Sequence, residues 1–153
     1  MAFYIVQHGL SLPKDQDPEK GLALQGMEDV KRIAGVARNY GVVVEHILHS
    51  GKKRARQTAE LIGDVLHPVR GIKEISGIKP LDNVPEFASQ VDFKANTMVV
   101  GHLPFLERLI SFLITGRQEP MVFKLQNGGI VCLDQIENSD TPAIKWALMP
   151  AVA

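Results

Sequence analysis

Three times before residue 105, a short apolar run ends in a polar cluster and gives way to a helix-forming stretch. Phe3-Tyr4-Ile5-Val6 runs into Gln7-His8-Gly9, residues 42–48 run into His49-Ser50-Gly51, and Thr97-Met98-Val99-Val100-Gly101 runs into His102. Short runs rich in β-branched and aromatic residues predict buried strands. After the first, residues 9–21 carry Pro13, Pro18 and several charges and predict a loop. Met27, Val30, Ile33, Ala34 and Ala37 then recur at helical spacing, with Gly41 as the stop. After the second, Ala55, Ala59, Ile62 and Leu66 mark one face of a helix over 53–66, closed by Pro68. After the third comes an apolar helix over 104–115. This alternation predicts parallel strands covered by helices.

The remaining segments are less regular. Residues 71–85 read as irregular, with a short helix around 85–91. Residues 122–126, 130–136 and 144–149 read as strands, separated by Asn127-Gly128-Gly129 and by 137–142, which suits hairpin connections. These strands should extend the sheet, some of them antiparallel. The expectation is a single three-layer α/β domain over residues 1–153, with a mostly parallel central sheet flanked by helices.

Composition narrows the function. Lys plus Arg equals Asp plus Glu at 17 each, so no global field steers the chain toward nucleic acid or anionic lipid. The lone Cys132 sits in an apolar run and reads as a buried structural thiol. No stretch reaches the length of a membrane span, and the N-terminal run lacks the basic flank of a secretory signal. A cytoplasmic protein with no nucleic-acid or membrane partner is the default expectation.

The polar clusters fall at the carboxyl ends of predicted strands, where open α/β sheets bind their ligands. His8, Ser50, Arg54 and His102 can therefore meet in one crevice despite their separation in sequence. Taken singly, each has an ordinary structural reading. His46, His49 and His67 keep that reading; Lys52, Lys53 and Arg56 read as solvated charges; Gln57 and Thr58 read as supports of their helix.

In order, Ile5-Val6-Gln7-His8-Gly9, then His49-Ser50-Gly51-Lys52-Lys53-Arg54-Ala55-Arg56-Gln57-Thr58-Ala59, then Val99-Val100-Gly101-His102-Leu103-Pro104 run along the chain. This series resembles the histidine phosphatase, or phosphoglycerate mutase-like, superfamily, and the chain's length points to its small SixA-type phosphohistidine phosphatase branch. The resemblance implies that His8 attacks phosphorus and passes through a phosphohistidine intermediate. It implies that Arg54 presents a planar fork to the phosphoryl oxygens and opposes their charge in the transition state. His102 would donate to a third oxygen, most usefully as imidazolium, while Gly9 would let the backbone turn sharply against the phosphate. Gln7, Gly9 and Ser50 would complete phosphate binding. Neither a cofactor nor a metal is implied.

One departure matters most. The family signature begins Arg-His-Gly, and this chain has Gln7. An amide donates hydrogen bonds but carries no charge, and a lost transition-state donor typically costs about 10²–10³ in rate. Lys14, Lys52 or Lys53 could replace the charge. Without a cation at position 7, His8 should also protonate more readily. Gly51 stands where the family often has proline, and Leu103 where asparagine is common. For a general acid, residues 74–86 offer Glu74, Asp82 and Glu86; Asp82 is best placed, although a turn-forming role also suits it. Three functions follow: a phosphatase for phosphohistidine in a protein, a small-molecule phosphomonoesterase that needs an acid such as Asp82, or a weakly active phosphate- or phosphoprotein-binding module.

Overall fold

The structure is a computed structural model and describes residues 1–152; Ala153, the last residue of the expected domain span, lies outside the described residues. Its strands are β1 (Phe3–Gln7), β2 (His46–His49), β3 (Ile72–Glu74), β4 (Thr97–Gly101), β5 (Ile130–Gln135) and β6 (Pro142–Leu148). Its helices are α1 (Leu24–Asn39), α2 (Lys53–Leu66), α3 (Val84–Ala88) and α4 (Phe105–Thr115). The strands form one sheet in the order β3-β2-β4-β1-β5-β6. Pairings among β3, β2, β4 and β1 are parallel; β5 runs antiparallel to β1, and β6 antiparallel to β5.

Side chains alternate across the strands and so divide the core in two. Tyr4, Val6, Met98, Val100, Ile130 and Cys132 face one side, where they meet Val30, Ile33 and Ala37 of α1 and Ala55, Ala59 and Ile62 of α2. Phe3, Ile5, Val99, Val131 and Leu133 face the other, against Phe87 of α3 and Phe105, Leu106, Leu109 and Ile110 of α4. β1 is buried at every position because both faces are covered, which is why its sequence is a continuous apolar run and not an alternating one. The three-layer α/β architecture is as expected, and Cys132 is a buried core thiol.

Several boundaries differ from expectation. Residues 122–126 form no strand: the Val122 and Leu125 N–H groups donate to Ser111 Oγ at 3.3 Å and Glu107 Oε2 at 3.0 Å, so α4 side chains replace a partner strand. Asn127-Gly128-Gly129 consequently closes no hairpin. β2 starts only at His46, because its neighbour β4 begins at Thr97, in register with His46. Ile72–Glu74, read as irregular, is an edge strand whose residues are all exposed, so no burial pattern marks it.

Candidate active site

The parallel order β2-β4-β1 puts three carboxyl ends on one edge, with Gln7 beside Gly101 and His49 beside Val100. The next residue of each strand turns into the same crevice. His8 N–H continues the ladder for one step, donating to the Gly101 carbonyl at 3.0 Å. The His8 and His102 rings lie 5.1 Å apart between centroids.

The hydrogen bonds of His8 define its tautomer. Nδ1 lies 2.7 Å from the Gly9 carbonyl oxygen, which can only accept, so Nδ1 carries the proton. Nε2 is then left with a free lone pair, and Arg54 Nε donates toward it at 3.3 Å. Burial, followed by the nearby Arg54 and Lys20 charges, lowers the His8 pKa to about 4, although the Gly9 bond works the other way. His8 is therefore neutral near physiological pH. Burial is the largest cause, so the absence of a cation at position 7 does not set its titration.

Thr58 joins Gly9, next to His8, and Arg54. Its Oγ1 accepts from Gly9 N–H at 2.9 Å and donates to the Arg54 carbonyl at 2.7 Å, linking the loop after β1 to the first turns of α2. Gln57 Oε1 accepts from Leu22 N–H at 2.8 Å and fastens the far end of that loop. Beyond the expected support of their own helix, both residues hold the loop. On the other side, Asn127 Nδ2 donates to the His8 carbonyl at 3.0 Å, and Gly128 N–H donates to the Gln7 and His8 carbonyls at 2.9 and 3.2 Å. Sequence reading missed this role of Asn127 and Gly128, since Asn-Gly-Gly signals a turn and says nothing of what the turn touches.

Gly9 has a packing reason to lack a Cβ. It does not adopt the left-handed backbone conformation; a Cβ there would lie 2.9 Å from Val30 Cγ2, 3.1 Å from the Gly26 carbonyl and 3.2 Å from Leu22 Cδ2. The close approach is to α1 and to Leu22 just before it.

His102 is 2% exposed, and its Nε2 lies 2.6 Å from Ser50 Oγ. Burial first, then His8, Arg54 and Lys52, lower its pKa to about 3. In this state, without phosphate, it is neutral. A bound phosphate dianion would oppose these effects and favour the charged form. Gln7 is also buried, and two polar atoms in this region, Gln7 Oε1 and His102 Nδ1, have no hydrogen-bond partner among the described residues.

Of the lysines expected to replace an arginine at position 7, Lys53 is committed elsewhere: its Nζ pairs with Asp17 at 2.8 Å and Glu19 at 3.7 Å. The lysine charges felt at His8 and His102 are those of Lys20 and Lys52, respectively. The candidate acids are dispersed. Asp82 Oδ2 accepts from Lys79 N–H at 2.8 Å in a turn, Glu86 lies in the first turn of α3, and the Glu74 carboxylate packs on Gly51. His8, Arg54, His102 and Ser50 come together; Asp82 forms no hydrogen bond to any of them among the described residues.

The chain is an α/β protein with paired histidines at the carboxyl edge of its parallel strands. The chain is 26% identical over 156 aligned positions to the phosphohistidine phosphatase SixA of Escherichia coli strain K12, covering 98% of this chain and 94% of that protein. Its fold matches the structure of the protein histidine phosphatase SixA complexed with tungstate at a TM-score of 0.82 and 23% identity, over 98% of this chain and 97% of that one. The alpha-ribazole phosphatase of Shigella flexneri matches at a TM-score of 0.73 and 16% identity, over 100% and 98%. No family model matches the chain. In sequence the chain is thus similar to SixA, and in fold to SixA and the alpha-ribazole phosphatase.

Proposed function

We propose that this protein is a phosphatase that removes the phosphoryl group from phosphohistidine in a protein substrate, through a phosphohistidine intermediate on its own His8. The observation that carries this reading is the His8 tautomer. Nδ1 is tied to the Gly9 carbonyl and Nε2 keeps its lone pair beside the Arg54 guanidinium. Nε2 forms the new P–N bond as the substrate's P–N bond breaks, and the departing imidazole takes a proton from solvent water. Water then displaces Nε2 from phosphorus and releases inorganic phosphate. Arg54 opposes the charge on the phosphoryl oxygens in both steps. His102, with Ser50 on its Nε2, lies where a third oxygen would need a donor.

Imidazole leaves more readily than an alkoxide, so this substrate class suits a site in which Asp82 is engaged in a turn. The likeness to SixA, named as a phosphohistidine phosphatase, supports the same class. A second reading, a weakly active phosphoprotein-binding module, is favoured by one observation: the uncharged, buried Gln7.

The test is phosphate release from a histidine-phosphorylated protein and from an aryl phosphate, each beside a His8→Ala control. His8-dependent release from the first substrate alone is expected. Efficient release from both would point to a general phosphomonoesterase. No His8-dependent release, with orthovanadate still binding, would overturn catalysis and leave the binding module.

A further inference from the structure

Ser50 faces two ways. Its hydroxyl contacts His102 at 2.6 Å, and the residue also lines a cleft of about 500 Å³ with Gly51, Lys52, Glu74, Ser76 and Lys79. The cleft is held on each side. Lys52 N–H donates to Ser50 Oγ at 3.4 Å, Ile75 N–H donates to the His49 carbonyl at 2.9 Å, and Asp82 holds Lys79 N–H at 2.8 Å. Gly51, at φ +88°, leaves the place of a Cβ to the Glu74 carboxylate, which draws that side chain against the Ser50-Gly51 wall.

The charges on this wall do not cancel. Lys52 and Lys79 belong to no ion pair among the described residues, and Glu74 is the one carboxylate lining the cleft. With Lys plus Arg and Asp plus Glu balanced at 17 each, the whole molecule adds no long-range field, so any selection for charge acts locally.

Resting on the phosphohistidine reading, we propose that this cleft is a specificity subsite that receives an acidic side chain flanking the phosphohistidine of the substrate protein, with Lys52 and Lys79 as its cationic walls. The chemistry selected is a carboxylate beside a phosphoryl group. A substrate with a basic flank meets uncompensated like charge and is disfavoured.

The test compares kcat/KM for two phosphohistidine peptides that differ only in flanking residues, glutamate in one and lysine in the other. The wild type is expected to prefer the acidic peptide by about fivefold, as suits one or two exposed ion pairs. Lys79→Glu is expected to reverse the preference, and Lys79→Arg to keep it. Raised salt should reduce the preference. Equal hydrolysis of both peptides by the wild type, or a preference unmoved in Lys79→Glu, would overturn the subsite while leaving the phosphatase reading intact. Hydrolysis of neither peptide would overturn the phosphatase reading, and the subsite with it.

Discussion

Arg54 Nε points at His8 Nε2 across 3.3 Å, so the guanidinium that would clamp the phosphoryl group also guards the lone pair that would attack it. One cation thus serves two ends. It helps keep His8 neutral and it marks the position where phosphoryl charge would be opposed.

That pairing predicts the behaviour of Gln7→Arg. A second guanidinium would supply the missing charge, and kcat should rise by up to about 10²-fold. The acid limb of the pH profile should move little, because burial already holds His8 near a pKa of about 4. Stopped-flow phosphate release against pH measures both. A large displacement of the acid limb would show that the residue at position 7, and not burial, governs His8.

Stability should depend on pH through the same two histidines. His8 at about 4 and His102 at about 3 both lie below the ordinary histidine value of 6.5. Between 6.5 and those values the unfolded chain binds more protons than the folded one, so stability is full above 6.5 and falls as the pH drops through the window. Urea midpoints should therefore decline between about pH 7 and about pH 4.5, and His8→Asn should flatten part of that slope. An unchanged slope in His8→Asn would count against a buried, neutral His8.

Thr58→Val removes the hydroxyl that joins Gly9 to Arg54. The Gly9 N–H is left buried without an acceptor, which costs about 1–3 kcal/mol. A fall in the urea midpoint of that size, together with a lower kcat, is expected, and Thr58→Ser should restore most of both. Loss of stability with kcat unchanged would make Thr58 a core residue only.

Gly26→Ala tests the seating of the loop after β1. A Cβ at Gly26 would collide with the Leu10 backbone carbonyl, a group that cannot swing aside as a side chain can. Forcing the two apart should cost about 1–3 kcal/mol. Calorimetry should show a lowered Tm, and the Gly9 amide should exchange faster by NMR.

The sequence made the parallel half of the fold legible, because β1 and β4 are buried on both faces and their apolar runs are continuous. His8, Arg54 and His102 were legible for a related reason: each follows a strand end, and the order of motifs matches a known arrangement. The remainder depended on tertiary partners. Residues 122–126 have the composition of a strand but give N–H groups to Ser111 and Glu107. Ile72–Glu74 is a strand without burial, formed because β2 offers its edge. The protonation state of His102 came from its enclosure, which no local pattern encodes.

The grip of Asn127 and Gly128 on the His8 carbonyl bears on how the chain matures. β1, which His8 follows, is made well before its two neighbours, which begin only at Thr97 and Ile130. Until both have been made, an apolar ribbon with two open edges waits for partners, a state prone to wrong pairings and dependent on slow long-range closure. The crevice should therefore be among the last parts of the molecule to form. A ribosome-stalled or truncated chain ending before residue 127 would carry His8, Ser50, Arg54 and His102 and still lack the groups that hold the His8 carbonyl.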